Sequence, residues 1–290
     1  MAGEQRLVTV RGGFGNQLFQ YAFAWALKQR TQSEVALNTW HYRLPDTRAL
    51  ELDRLQIELP LSAERRPVRM DSAPARWLLR RFPDRAGKLL SVHRESAMAR
   101  YRAEYLADPR RFYHGYWQSP RYFDEYRDEL RRQFEFKQPF DVRAALRRVR
   151  PDWGEFLAVH IRRGDYLRPA GVELHGVTPL DYFRESLVRL RSELNEMNTV
   201  YATDDPKWLR EESGLLDTES VLAADFLNGP LEEFVLMRES RGLVATNSTF
   251  SWWAAYLGDP EMTIVPRYWF RGVLTTDLGI APKGWIVAEN

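Results

Sequence analysis

The chain has 290 residues, of which 44% are hydrophobic and 13% aromatic, with 42 Lys and Arg against 40 Asp and Glu. That near balance does not indicate a nucleic-acid-binding protein, and the absence of cysteine excludes disulfides, thiolate catalysis and cysteine-ligated zinc. No apolar run reaches the ~20 residues of a membrane helix, and the first residues contain no apolar signal core, so we expect a soluble, cytoplasmic protein.

The first half of the chain opens with the pattern of an α/β protein. A strand, a glycine turn, a helix and a second strand are predicted in this order: 7–10, 12–16, 17–29 and 34–37. Prolines interrupt the arginine-rich segment 60–112, where short helices and loops are expected. A strand and turn at 113–118 and a helix at 122–134 complete this half.

The second half alternates strands and helices in the manner of a doubly wound parallel sheet. Strands are predicted at 156–161, 200–203, 220–222, 242–246 and 262–265, and helices at 180–195, 206–212, 231–240 and 250–257. The segment 151–154 resembles an interdomain boundary. We therefore expect two α/β domains, 1–150 and 151–290, with a cleft between them and the last helix or tail packing back on the first domain.

The glycine turn can present backbone N–H groups to an anion at the start of a helix. It lacks the third glycine of a dinucleotide fingerprint, because Leu18 stands there, and the second strand is followed by Asn38 rather than an acid. NAD is therefore not indicated. An ordinary strand-to-helix turn is the alternative to an anion site. The candidate binding residues are Gly13, Phe14, Gly15, Asn16 and Gln17.

The segment 160–166 (HIRRGDY) directly follows an apolar strand, at the sheet edge where α/β proteins bind ligands. Two arginines there indicate an anionic ligand, although an ion-paired turn is the alternative. Side chains alternate along a strand, so His160 and Arg162 are expected on one face. Arg162 is then the candidate ligand. Asp165 could hold either arginine by charge-assisted hydrogen bonds, and the favoured expectation is that Arg163 supports the loop together with Asp165.

Two further strand ends carry polar groups. Asp205 precedes a proline and is predicted to cap a helix, which leaves Asp204 for a ligand or network role. Asn247, Ser248 and Thr249 precede another helix and can cap it or hold an anion. Since carboxyl ends of parallel strands share one edge, these residues predict a phosphate-bearing, nucleotide-like ligand.

Three motifs together resemble the bacterial α1,2-fucosyltransferases: 12–22 (GGFGNQLFQYA), 160–166 (HIRRGDY) and 247–253 (NSTFSWW). The stretch 40–150 matches only loosely. The resemblance implies a GT-B-like fold of two Rossmann-like domains facing a cleft. It also implies fucosyl transfer from GDP-fucose with inversion, without a metal or other cofactor, to the 2-hydroxyl of a β-galactoside oligosaccharide or glycolipid, as in fucosyllactose or O-antigen synthesis.

The same resemblance implies roles for single residues. Arg162 would bind the pyrophosphate, with His160 near the nucleotide and the glycine turn closing from the other domain. Ser248 and Thr249 would hold phosphate oxygens, and Glu233 would read guanine, where aspartate is more usual. Three residues are candidates for the general base: Glu173, His175 and Asp165.

Two alternatives of function remain open. A fucosyltransferase of another linkage, α1,6 or protein O-linked, would keep the donor, and a catalytically silent protein would only bind a nucleotide or glycan. The basic segment 76–82 could contact the inner membrane peripherally. A solvated basic helix with a core-facing side is the favoured interpretation of that segment.

Overall fold

The computed structural model describes residues 5–45, 47–63, 74, 77–78, 81–95, 99–107 and 110–289. The chain divides into two compact units, Met1–Gln138 and Pro139–Asn290, each with its own parallel sheet. The division lies before residue 150, because the helix Val142–Val149 belongs with the second unit. Arg143 on that helix donates its Nε to Glu239 Oε2 at 2.8 Å.

The first unit contains five strands and four helices among its described residues. In chain order they are β1 (Arg6–Thr9), α1 (Phe14–Thr31), β2 (Val35–Asn38), β3 (Leu61–Ser62), α2 (Pro83–Leu90), β4 (Val92–Arg94), α3 (Glu104–Ala107), β5 (Phe112–His114) and α4 (Arg127–Gln133). The strands form one parallel sheet in the order β3-β2-β1-β5-β4. Helix α1 lies in the core, where Phe23 stacks on Trp117 with ring centroids 4.2 Å apart.

Two expectations for the first unit were wrong in detail. The segment 60–112 was expected to hold short helices and loops, yet it contains β3 and β4, and Val92 and His93 of β4 are buried beside β5. The helix expected at 122–134 is broken at Phe123 into two 3₁₀ turns and α4. Phe123 is fully buried, so packing overrides the local helical preference there.

The second unit contains the helices and strands from α5 to β13. They are α5 (Val142–Val149), β6 (Leu157–Ile161), α6 (Pro169–Leu174), α7 (Leu180–Leu194), β7 (Thr199–Thr203), α8 (Pro206–Glu211), β8 (Ser220–Leu222), α9 (Pro230–Arg238), β9 (Gly242–Val244), α10 (Thr249–Gly258), β10 (Met262–Val265), β11 (Tyr268–Phe270), β12 (Val273–Leu274), α11 (Thr275–Leu278) and β13 (Ile286–Val287). The strands β6 to β10 and the helices α7 to α10 correspond to the predicted alternation. The elements α5, α6, β11, β12, α11 and β13 were not predicted.

The main sheet of the second unit is parallel, with strand order β13-β10-β9-β6-β7-β8. The chain moves outward from β6 through β7 to β8, then returns to β9 on the other side of β6. This is the doubly wound Rossmann arrangement, in which ligands bind where the strand order reverses. The reversal point lies between β6 and β9, and every residue of both strands is buried.

Within the described part of the chain, no helix is long and apolar enough to cross a membrane.

Candidate functional site

The carboxyl edge of the second sheet brings together the polar strand ends predicted from the sequence. Strand β6 lies between β7 and β9, with His160 opposite Ala202 on β7 and Val159 opposite Val244 on β9. The segments after these strands therefore share one edge. In this way residues more than forty positions apart in the sequence become neighbours.

Arg162 is held between two carboxylates. Its Nε and Nη2 lie 2.8 and 2.7 Å from Asp165 Oδ1, and its Nε lies 3.1 Å from Asp204 Oδ2. The side chain keeps 23% of its surface exposed. These charge-assisted contacts fix the guanidinium while leaving donors available to an anionic ligand.

Asp204 organises the backbone that carries this arginine. Its Oδ1 accepts the N–H of Arg163 at 2.8 Å, and its Oδ2 accepts the N–H of Gly164 at 3.1 Å. A Cβ atom at position 164 would lie 2.8 Å from Asp204 Oδ2, so only glycine permits this approach without a shift. One carboxylate on β7 thus determines the path of the loop after β6.

The second arginine of the motif has different partners from the first. The guanidinium carbon of Arg163 lies 3.7 Å from the ring centroid of Trp208, and its Nε is 3.4 Å from Asp205 Oδ2. Asp205 also caps α8, accepting the N–H of Trp208 at 3.2 Å, as predicted. The supporting position of Arg163 is confirmed. The expectation that it acts with Asp165 is wrong, because Asp165 turns toward Arg162.

His160 is buried beneath this loop, with 4% of its surface exposed. Burial and the neighbouring charge of Arg162 lower the pKa of its imidazole to about 3. Its Nδ1 is buried without a hydrogen-bond partner, and its ring lies 5.7 Å from that of Phe250 on α10. A neutral imidazole at this position leaves the positive charge of the site to Arg162.

His175 follows α6 and stacks on Tyr166, with ring centroids 4.4 Å apart and planes 1° from parallel. Burial lowers its pKa, with the nearby Asp165 and Arg162 acting in opposite directions. Gly171 makes this packing possible, because a Cβ there would lie 2.2 Å from the carbonyl oxygen of Asp165. The loop 165–175 is therefore folded tightly against the arginine motif.

The other two candidates for the general base differ in accessibility. Glu173 on α6 is exposed to solvent. Asp165 is committed to the guanidinium of Arg162. All three candidates thus lie in the segment between β6 and α7. Glu173 and His175 take no part in the ion pair between Arg162 and Asp165.

Asn247 is buried and its side chain is fully used within the protein. Its Nδ2 donates to the carbonyls of His175 at 3.0 Å and Trp269 at 3.1 Å, and its Oδ1 accepts from Thr178 and Thr246. These bonds tie the end of β9 to the loop that carries His175. The geometry favours a positioning role for Asn247 over direct contact with a ligand.

Ser248 caps α10, accepting the N–H of Phe250 at 3.3 Å, and Thr249 is the first residue of the helix. The positive end of the helix macrodipole is therefore located at the strand-reversal point, next to the arginine loop. Trp252 and Trp253 on the same helix are fully buried, which confirms their predicted place in the core.

Glu233 lies on α9 and is partly buried near Asp204. Burial and, to a smaller extent, the negative charge of Asp204 together raise the pKa of its carboxyl from 4.5 to about 7. The neighbouring Glu232 instead accepts the N–H and side-chain amide of Asn228 at 2.8 and 3.1 Å. Of the two adjacent glutamates, Glu233 is therefore the one that shares the electrostatic environment of the site.

The glycine turn in the first unit was also predicted as an anion site. Gly12 has a φ of +86°, and α1 begins at Phe14, directly after Gly13, with no side chain capping its first N–H groups. Gly15 is buried in the first turn of the helix. Uncapped N–H groups at a helix start are suited to bind an anion.

The polar side chains of this turn serve its structure. Asn16 Oδ1 accepts from Gln118 Nε2 at 2.8 Å. Gln17 Nε2 donates to the carbonyls of Gly12 and Ala49, and its Oε1 accepts the N–H of Glu51. Backbone N–H groups, more than these amides, are thus the groups that the turn can offer to a ligand.

No group of three or more His, Cys, Asp or Glu suited to hold a metal ion occurs in the part of the chain that the structure describes.

Residues 99–287 match the model of glycosyl transferase family 11, which is more than half of the chain. The chain belongs to glycosyl transferase family 11. The family 11 chain is 26% identical to an alpha-1,2-colitosyltransferase of Escherichia coli, over 96% of its own length and 97% of that protein. It is 27% identical to the O-antigen biosynthesis glycosyltransferase WbnK of Escherichia coli, over 90% of this chain and 93% of that protein.

The chain is also similar to animal proteins and to solved structures. Galactoside alpha-(1,2)-fucosyltransferase 1 of Alouatta belzebul is 26% identical over 89% of the family 11 chain and 66% of its own length. The crystal structure of fucosyltransferase NodZ from Bradyrhizobium has a TM-score of 0.53 at 15% identity, over 90% of this chain and 94% of NodZ. The predicted family and the GT-B-like α/β fold are confirmed, and the family 11 chain is a glycosyltransferase.

Two tyrosines, one in each unit, contact the predicted site segments and were not predicted from the sequence. Tyr166 stacks on His175, and its hydroxyl donates to the carbonyl of Asn247 at 2.9 Å. Tyr42 donates its hydroxyl to the carbonyl of Gly12 at 2.9 Å. Tyr166 is the last residue of the segment 160–166, so its position was a usable signal. Nothing in the sequence around Tyr42 indicated its partner.

Proposed function

We propose that this family 11 glycosyltransferase transfers L-fucose from GDP-fucose to the 2-hydroxyl of a terminal β-galactoside, with inversion, forming an α1,2 linkage. The observation that carries the proposal is Arg162 at the strand-reversal point, beside the helix start at Ser248. Together the guanidinium donors and the N–H groups at the helix start can bind a pyrophosphate where a Rossmann-like unit binds nucleotides.

The donor proposal also draws on the relatives. A crystal structure of the α1,6-fucosyltransferase NodZ was obtained after soaking with GDP-fucose. In our proposal Glu233 accepts hydrogen bonds from the guanine base, which offers two donors along one edge, and ionised Glu233 is the form suited to this. His160 lies near the nucleotide as a neutral ring.

The chemistry proposed is a direct displacement of GDP by the acceptor hydroxyl. The bond from the anomeric carbon to the pyrophosphate oxygen breaks as the new glycosidic bond forms, so negative charge develops on GDP. Arg162 and the α10 N-terminus at Ser248 and Thr249 would stabilise this charge, and the glycine turn is a further proposed anion site. We propose that these groups act without a metal. Activity that persists in EDTA supports this, and loss that Mg²⁺ or Mn²⁺ restores would refute it.

The general base is proposed to come from the loop after β6. Glu173 and His175 are the candidates that Arg162 does not engage through an ion pair. Loss of a general base costs about 10²–10⁴-fold in kcat. Comparing Glu173→Gln with His175→Asn therefore identifies the base, because only one of the two should show this loss.

A second candidate donor is the GDP derivative of colitose, which is 3-deoxyfucose. The alpha-1,2-colitosyltransferase of Escherichia coli matches this chain over nearly its full length. The two donors share every group that Arg162, Ser248 and Glu233 are proposed to contact. A competition assay with equal concentrations of GDP-fucose and GDP-colitose, followed by mass analysis of the product, separates the two proposals.

The direct test is incubation with GDP-fucose and a panel of β-galactosides, with GDP release measured and the product linkage determined by NMR. An α1,6-linked or protein-linked product would redirect the proposal to another linkage. Binding of GDP-fucose without GDP release in the presence of every acceptor would indicate a silent binding protein.

The proposed role of Arg162 has its own test. Arg162→Ala should nearly abolish transfer while the thermal melt stays that of a folded protein. Arg162→Lys is the matched control, because it keeps the charge and loses the planar fork that contacts two oxygens at once. Substantial turnover by folded Arg162→Ala would reject the proposal.

A further inference from the structure

The first unit carries an exposed surface in which large apolar side chains alternate with basic ones. We call it the α2 surface. Its apolar members are Trp77, Leu78, Phe82 and Leu89, which are 61%, 36%, 43% and 82% exposed. Its basic members are Arg81, Arg85 and Lys88, all exposed. Such a concentration of exposed apolar surface commonly marks an interaction site.

The α2 surface is attached to the folded unit. Leu90, at the end of α2, packs against the core cluster that includes Leu7, Val92 and Phe112. Gly87 is buried, and a Cβ there would lie 2.7 Å from the carbonyl oxygen of Val92, so the helix lies close against the chain of β4. The outward position of Leu89 is therefore a consequence of how α2 docks on the sheet.

The aromatic side chains of the α2 surface contact each other and the basic groups. The ring of Trp77 lies edge-on to that of Phe82, with centroids 6.3 Å apart, and the guanidinium carbon of Arg81 is 5.1 Å from the Phe82 centroid. The polar end of Trp and the long stems of Arg and Lys allow such residues to occupy the boundary between water and lipid. The predicted basic segment 76–82 falls partly here, but residues 76, 79 and 80 lie outside the described part of the chain.

The charge of this region is complementary to an anionic surface. The described side chains of the α2 surface include three exposed positive charges, on Arg81, Arg85 and Lys88. By sequence alone, residues 76–90 have a net charge of +4. Basic side chains beside exposed Trp, Phe and Leu are the composition of interfacial membrane-binding segments.

We propose that the α2 surface binds the face of a lipid bilayer that carries anionic headgroups, with its apolar side chains entering the headgroup region and Arg81, Arg85 and Lys88 pairing with lipid phosphates. The attachment is peripheral and reversible, because one short patch buries too little apolar surface for permanent insertion. This proposal does not depend on the identity of the sugar donor.

The test is co-sedimentation of the full chain with vesicles of phosphatidylglycerol and phosphatidylcholine, compared with vesicles of phosphatidylcholine alone. Binding to the mixed vesicles that weakens as salt rises is expected. Arg85→Gln/Lys88→Gln should lower the partition coefficient about fivefold for each charge removed. Trp77→Ser/Leu89→Ser should lower it at least as much.

The matched control is Val188→Ser on α7 of the second unit, where a 68% exposed apolar side chain is replaced outside the α2 surface. It should leave binding unchanged. Because the altered side chains are exposed, all variants should keep the thermal melt of the parent. Equal binding to both vesicle types, or no effect of the two double variants, would overturn the proposal. Self-association in the absence of lipid that the Trp77/Leu89 variant abolishes would overturn it too, by showing a second copy as the occupant.

Discussion

Replacing Asp204 with asparagine tests how the arginine loop is built. Asp204 accepts two backbone N–H groups, from Arg163 and Gly164, and also contacts Arg162 Nε. Asparagine has a single acceptor oxygen, so in either orientation its amide N–H₂ group faces a donor that the carboxylate had satisfied. The side chain keeps its size while the loop loses an anchor and a charge.

The size of the effect follows from the bonds that are lost. A hydrogen bond to a charged group contributes about 1.5–3 kcal/mol. If one such bond is needed to hold Arg162 in place during transfer, kcat/KM should fall about 10–150-fold. GDP affinity should change less, because removing a carboxylate also removes a competitor for the guanidinium.

Three measurements decide the matter: kcat/KM from GDP release, the Kd of GDP by calorimetry, and hydrogen exchange at the amides of Arg163 and Gly164. Exchange at both amides should quicken in Asp204→Asn. The control is Asp205→Asn, which alters the neighbouring carboxylate but keeps a good helix cap. Unchanged kcat/KM together with unchanged exchange in the Asp204 variant would refute the reasoning.

Two further predictions follow from the site. Glu233 has a pKa raised to about 7, so its carboxylate is lost as pH falls through that value; the donor KM should then rise below pH 7, and Glu233→Gln should remove this dependence in steady-state assays. The pKa of Glu233 in the folded protein lies above the ordinary 4.5, so its contribution to stability is full below pH 4.5 and declines as pH rises through about 7. Glu233→Gln should therefore raise Tm in alkaline buffer but not in acidic buffer. Equal Tm shifts in both buffers would contradict this prediction. Asn247→Ala leaves the carbonyls of His175 and Trp269 without their donor, which should cost about 2–4 kcal/mol and lower the midpoint of denaturant unfolding, whereas a neutral result would show that water replaces the amide.

Much of the second unit could be predicted because its parallel strands are short apolar runs separated by polar turns. Strands β8 and β10 have the predicted bounds, and β6 begins one residue later than expected. Helix α10 is longer than predicted by one residue at each end, Thr249 and Gly258. Buried strands bear this signal because both of their faces contact helices.

The first unit was harder to predict for physical reasons. Strand β4 contains His93 and Arg94, which interrupt the apolar pattern, so only its pairing with β5 identifies it as a strand. The break at Phe123 results from burial in the assembled core. Such effects come from contacts distant in the sequence, and local pattern does not contain them.

In the site, side-chain alternation was sufficient to separate Arg162 from Arg163. It did not indicate their partners. The contacts of Asp204 with the loop after β6 join residues about forty positions apart, and they depend on the register between β6 and β7. The nearest acid in the sequence, Asp165, was therefore assigned to the wrong arginine.

The two carboxylates around Arg162 affect which anions can bind to this arginine. A guanidinium flanked by Asp165 and Asp204 carries its own counter-ions, so a small anion such as inorganic phosphate or sulfate must compete with these carboxylates for it. A nucleotide that also contacts other parts of the site can compensate for this competition, while a free ion cannot. The arrangement should therefore favour the proposed nucleotide donor over simple anions, and the two carboxylates can pair with the arginine again once the proposed product GDP has left.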